Sequence, residues 1–169
     1  SGVIGVRGNL LMVQDWSAWE IFWSDERCLP SDHAGRNSRM AQDAWLSQVA
    51  IPAGQIHPIP AELGATLAAA EYTKLVLDRQ PFDLLLLGMG EDGHTASLFP
   101  GSPVDVTEPT LAVTAQYQDR PANRVTVTQL VFNQARTVAF MVTGEKKAVT
   151  LAEVLSDRYN PELLPAQRI

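Results

Sequence analysis

The chain holds a single cysteine, Cys28, among its 169 residues, so no internal disulfide can form and a reducing, cytoplasmic setting is the expectation. Apolar runs such as Leu84 to Leu87 fall far below the roughly 20 residues of a membrane span, and no basic-then-apolar leader opens the sequence. Membrane partners are not expected. Basic charge is also scarce: 13 Lys and Arg against 19 Asp and Glu leave a formal net charge of -6, which disfavours a polynucleotide partner held by counterion release. The three histidines, His33, His57 and His94, lie far apart and Cys28 has no second thiol, so no zinc spacing appears. There is no internal repeat and no low-complexity linker. With 46% hydrophobic and 19% charged residues, the composition is that of one globular domain with a sizeable core.

Within that domain the apolar pattern alternates between two periods. Glu20 to Trp23 reads as a short strand, followed by a polar loop, Ser24 to Arg36. Asn37 can cap a helix that runs through Ser47, with Met40, Ala44 and Trp45 on one face. Pro52, Pro58 and Pro60 make a connection, and Ala61 to Asp78 is rich in helix formers with Leu63, Leu67, Ala70 and Lys74 at helical spacing. Phe82 to Leu87 suits a strand buried on both sides. Further strands are expected at Leu111 to Gln116, Arg124 to Thr128 and Thr137 to Thr143, and a last helix from Glu145 to Leu155. This alternation predicts an α/β fold, a Rossmann-like and mainly parallel sheet with helices on both faces. Loops 24–36, 88–101 and 144–147 should then converge outside the carboxyl ends of the strands.

Gly88 to Gly93 spells G-x-G-x-x-G after a strand, but Pro100 and Pro103 leave little room for the helix a dinucleotide site needs, and Glu91 and Asp92 would repel a diphosphate. The same loop suits acid–base chemistry. Asp92 and His94 flank one glycine, so a carboxylate can fix the tautomer of an imidazole and stabilise its charged form. The plainer alternative has Asp92 capping the next turn and His94 as a half-exposed loop residue. Ser24-Asp25-Glu26-Arg27 forms a second charged cluster, able to orient a hydroxyl or stabilise an oxyanion, or equally to be a solvated turn. Arg124 opens a strand, and Lys146 and Lys147 stand in the first turn of the last helix, where an anion or solvent can balance them. Ser97 lacks the G-x-S-x-G elbow of a serine hydrolase, and the tryptophans read as packing residues.

Phe82 to Gly101, with Gly90-Glu91-Asp92-Gly93-His94-Thr95-Ala96-Ser97-Leu98-Phe99-Pro100 at its centre, closely resembles the signature of the 6-phosphogluconolactonases. Asp15-Trp16-Ser17, then Phe22 to Pro30, is similar to that family's other motif. Asn37 stands where its Ser-Asn pair ends, with Arg36 in place of the serine. Arg124-Val125-Thr126, Gly144 to Ala148 and Pro165 to Ile169 resemble later family segments. The related glucosamine-6-phosphate deaminases share a Gly-Asp-Gly-His loop, but theirs does not continue as Thr95 to Pro100.

The resemblance implies hydrolysis of 6-phospho-D-glucono-1,5-lactone to 6-phosphogluconate in the pentose phosphate pathway, without metal or organic cofactor. Its partner would be a small phosphorylated sugar lactone. In that scheme His94 is the general base on water, Asp92 supports it, and Arg27 faces the developing oxyanion. Asp25, Gly90, Gly93, Arg124 and Lys147 complete the substrate site, Arg124 and Lys147 holding the 6-phosphate. The family's opening strand and Ser-Gly-Gly-Ser/Thr phosphate loop, and its closing strand and helix after Ile169, have no counterpart. Residues 1–14 therefore read as an atypical, foreign or junction segment and 15–169 as a single partial domain. A related deaminase or isomerase, or a noncatalytic sugar-phosphate-binding fragment, are the competing readings, and no sequence feature sets the oligomeric state.

Overall fold

A computed structural model describes residues 15–114 and 123–169. The expectations for residues 1–14, and for the strand end at 115–116, lie outside the described residues. Among these residues seven short strands, β1 (Ile21–Phe22), β2 (Asp25–Arg27), β3 (Ile56–His57), β4 (Leu85–Gly88), β5 (Thr110–Thr114), β6 (Asn123–Val127) and β7 (Val138–Met141), alternate with four helices. These are α1 (Asn37–Ala44), α2 (Ala65–Arg79), α3 (Gln129–Phe132) and α4 (Ala148–Val154). The fold is α/β, as the alternation predicts. β1 runs parallel to β3 and β4 parallel to β7, while β2, β6 and β5 form an antiparallel sheet in that order.

Beside the parallel pairs of the expected, mainly parallel arrangement stands this antiparallel sheet, and it has two distinct faces. Residues facing one another across antiparallel strands share a side, so Asp25, Arg27, Arg124 and Thr126 lie on one face and Glu26 and Val125 on the other. α2 covers the Val125 face: Thr110 Oγ1 lies 2.7 Å from both the Ala69 carbonyl and Thr73 Oγ1. The strand β6 is buried on both sides because the loop after β4 covers the opposite face.

Several local expectations are corrected by this packing. The buried face of α2 is Ala68, Ala69, Tyr72 and Val76, whereas Leu63 and Leu67 remain 50% and 52% exposed. Close approach of the helix backbone to Thr110 selects alanine there and leaves the longer leucines outside. In α1 the buried residues are Asn37 and Ala41, not Met40 or Ala44. The polar segment after β1 contains a strand, β2, held by main-chain pairing with β6 that side-chain polarity does not reveal.

Nor does Asn37 cap α1. The carboxylate of Glu26, fully buried, accepts the Asn37 and Ser38 N–H groups at 2.7 and 2.8 Å, and does the capping from the neighbouring strand. The buried Arg36 guanidinium stands 3.4 Å from the same carboxylate and donates to Glu62 and to the Ile59 carbonyl. On the other side of the core, Tyr72 reaches the main chain of β1's exit: its hydroxyl accepts the Trp23 N–H at 2.9 Å. Among the described residues no helix is long and apolar enough to cross a membrane.

Candidate active site

β4 and β7 deliver the chain in the same direction, β4 into Gly88 to Gly101 and β7 toward Gly144. The first of these loops folds back at once: Gly90 N–H bonds the His94 carbonyl at 2.8 Å, and Gly93 N–H bonds Gly90 O at 3.2 Å. Gly93 sits at φ +79, the left-handed region that favours glycine. Gly90 has a different reason: a Cβ there would lie 2.1 Å from His94 Nδ1 and 2.7 Å from Asp92 Oδ1. The imidazole occupies the space a side chain would need.

Within this turn His94 Nδ1 lies 2.6 Å from Asp92 Oδ1, which also accepts the His94 backbone N–H at 3.1 Å. With Nδ1 facing a carboxylate, the proton belongs on Nδ1, and Nε2 keeps the lone pair. The carboxylate braces the ring instead of capping a helix. Burial is the largest influence on the His94 pKa and holds it below its ordinary value; the hydrogen bond and charge of Asp92, and the charge of Asp25, oppose it. The imidazole is neutral near pH 7, with a carboxylate ready to stabilise it when it takes a proton.

Beyond His94 the chain reverses between Thr95 and Leu98 and drops onto the polar face of the antiparallel sheet. Ser97 is fully buried, its hydroxyl donating to Asp25 Oδ2 at 2.7 Å and its N–H to Thr126 Oγ1 at 3.2 Å. Phe99 places its ring 4.9 Å from the imidazole, and the Arg124 guanidinium lies over that same ring at 5.5 Å. Arg124 stands 4.0 Å from Asp25 Oδ2, and Asn37 Nδ2 binds Asp25 Oδ1 at 3.1 Å. Asp25 is thus engaged with protein groups and buried.

Arg27 pairs directly with Arg124 across β2 and β6, and its guanidinium donates to Gly35 O at 2.6 Å. Two cations therefore stand side by side on the face that carries the loop. The structure brings together Asp92, His94, Gly90, Gly93, Asp25 and Arg124, with Arg27 adjoining. Loops 24–36 and 88–101 do meet. The third loop joins them indirectly: Thr150 Oγ1 donates to Glu91 O at 2.6 Å, and Lys147, one helical turn earlier, shares that side of the helix. Among the described residues no contact links the Lys147 side chain itself to the cluster.

Four residues named in the sequence only as motif members, a helix cap or a rejected nucleophile join the halves of the site: Ser97, Phe99, Asn37 and Thr126. His33 accepts the Gly35 N–H and His57 stacks on Phe22, so neither belongs here. Burial pushes the Cys28 thiol up. Among the described residues no group of three or more His, Cys, Asp or Glu side chains is disposed to hold a metal ion. A separate apolar cavity of about 270 Å³, lined by Met89, Phe140, Leu151, Val154, Tyr159 and Ile169, contains none of the charged groups just described.

The sequence pattern of the family described as glucosamine-6-phosphate isomerases/6-phosphogluconolactonase matches residues 7–169. A rice protein (Oryza sativa subsp. indica) named probable 6-phosphogluconolactonase 4, chloroplastic, is 38% identical over 169 residues, which cover 90% of this chain and 52% of that protein. A 6-phosphogluconolactonase of Synechocystis sp. is 37% identical over 163 residues, covering 91% of the chain and 67% of that protein. The crystal structure of 6-phosphogluconolactonase from Thermotoga maritima superposes with a TM-score of 0.83 at 30% identity, covering 92% of this chain and 70% of that one. The chain spans about half the length of the rice relative. Matched by that family's pattern over residues 7–169 and superposing on a solved 6-phosphogluconolactonase, the chain belongs to the glucosamine-6-phosphate isomerase/6-phosphogluconolactonase family.

Proposed function

We propose that the chain carries the catalytic apparatus of a 6-phosphogluconolactonase, which hydrolyses 6-phospho-D-glucono-1,5-lactone to 6-phospho-D-gluconate in the pentose phosphate pathway. The observation that carries this reading is the 2.6 Å contact between Asp92 and His94 beside the Arg124 cation. Lactonase relatives in rice and Synechocystis support it. So does the continuation of the loop through Thr95 to Pro100, which distinguishes the lactonase motif from that of the deaminases.

In the proposed reaction His94 Nε2 takes a proton from water as the water oxygen bonds to the lactone carbonyl carbon. The carbonyl oxygen becomes an oxyanion facing Arg27, whose positive charge stabilises it. Collapse of the tetrahedral species breaks the bond to the ring oxygen, which receives the proton back from the imidazolium. Asp92 stabilises the imidazolium between those transfers. Asp25 holds Arg124 in place, and Arg124 with Lys147 binds the 6-phosphate; Gly90 and Gly93 let the loop close around the base. A lactone is an activated ester, so positioning, one base and charge stabilisation suffice without a covalent nucleophile. The setting we propose is cytoplasmic, where the free Cys28 stays reduced.

The test is lactone hydrolysis by the protein beside a His94→Asn variant, with spontaneous ring opening subtracted. The variant should lose about 10² to 10⁴ in rate, the usual contribution of a general base. Equal rates in the two proteins refute the assignment.

A further inference from the structure

Phe99 has no part in the proton transfers, yet both the imidazole of His94 and the guanidinium of Arg124 rest on its ring. Its own position is set from both directions. Ser97, two residues before it, is pinned to Asp25 and Thr126, and Leu98 is fully buried. After it, Ser102 N–H returns to the Phe99 carbonyl at 2.9 Å, and the buried Arg168 guanidinium binds Ser102 Oγ and Ser102 O, each at 3.0 Å. The ring is 9% exposed. It cannot turn away without disturbing the sheet face beneath it.

We propose that Phe99 is the positioning residue of the site, a shared aromatic platform that sets the spacing between base and cation and shields the base from solvent. The inference rests on the lactonase reading for its reaction, but its physical content concerns His94 and Arg124 directly. An aromatic face attracts a guanidinium through its quadrupole, so the ring orients Arg124 without supplying a counter-charge that would cancel it. Toward His94 the same ring offers only apolar surface. Among the described residues the carboxylates acting on the imidazole are Asp92 on its own loop and Asp25 on β2, and both favour the protonated ring, while burial opposes them; the Arg124 cation on β6 stands across the Phe99 ring. Removing the ring removes part of that burial.

Two replacements separate the parts. In Phe99→Leu the His94 ring protons, followed by NMR, should titrate upward by about half a pH unit or more as solvent reaches the imidazole. Affinity for 6-phosphogluconate, measured by calorimetry, should weaken roughly tenfold as Arg124 loses its platform. Pentafluorophenylalanine at position 99 keeps the ring and its cover but inverts the quadrupole. It should weaken 6-phosphogluconate binding and, since an electron-poor ring also disfavours the imidazolium, hold the His94 titration at or below that of the parent instead of raising it. A merely structural role would lower stability without this split between the two readouts. An unchanged His94 titration in folded Phe99→Leu, or unchanged product affinity in the fluorinated protein, overturns the proposal. Should Phe99→Leu fail to fold, the fluorinated protein decides alone. Neither readout needs turnover, so a parent protein that binds 6-phosphogluconate without hydrolysing lactone would refute the function and leave the platform standing.

Discussion

The imidazole of His94 lies so close over Gly90 that a methyl group on that glycine would come within 2.1 Å of Nδ1. The contact involves a ring that is itself tied to Asp92, so it has little room to yield. Gly90→Ala should swing the ring off the carboxylate and lose about 10² or more in rate, comparable to removal of the base. The far-ultraviolet circular dichroism should stay that of the parent. A Gly90→Ala protein as active as the parent would mean that the base is elsewhere.

Asp92→Asn keeps an oxygen for the His94 backbone N–H but removes the charge that favours imidazolium. Burial already holds the His94 pKa down, and without Asp92 it falls further. The acid limb of the pH–rate profile should therefore move to lower pH while the maximal rate drops, because the protonated ring loses its support. Stopped-flow lactone assays between pH 5 and 8 read both effects. A limb that moves upward contradicts the assignment.

The same depression of the His94 pKa makes stability depend on pH. Above the ordinary value of 6.5 the ring is neutral in both folded and unfolded chains, and this contribution to stability is fully present. As the pH falls from there through the lower folded-state pKa, the unfolded chain gains a proton that the fold resists, and the contribution is lost. His94→Asn removes that dependence. The difference in urea midpoint between parent and variant should change in the parent's disfavour as the solution is acidified, and a constant difference would show the ring to be solvated.

Glu26 is a structural acid in the midst of a functional-looking cluster. Truncating it to alanine frees two α1 amides and leaves Arg36 without one of its two carboxylates, a loss of about 3 kcal/mol in denaturant unfolding. In contrast to Arg27, its role should appear in stability measurements before it appears in kinetics. A change below about 0.5 kcal/mol would show that water replaces the cap.

The glycine loop is the part of the site most legible in sequence, because its chemistry is local: Asp92, His94, Gly90 and Gly93 interact within five residues. The strand before it and the long helix α2 also announce themselves by composition. What composition does not reveal is which side of α2 faces inward. Its leucines outweigh its alanines on any hydrophobic scale, yet the tight fit against Thr110 buries Ala68 and Ala69 and leaves Leu67 outside. Glu26 is misleading for a related reason. Between Asp25 and Arg27 it looks like their partner, but strand alternation turns it to the opposite face, where it meets α1. Pairings across long stretches of chain, such as Ser97 with Asp25, have no local signature at all.

The glycine turn is stitched to the last part of the sequence: Gly93 O receives the Ala166 N–H, Glu162 O receives the Gly101 N–H, and Glu91 O receives the Thr150 hydroxyl. Fraying of that rear segment would loosen the turn without altering any reacting group. Amide exchange at the turn and at the tail should consequently open as one cooperative unit, and a protease nick near Leu155 should silence the protein while most of its helix signal survives.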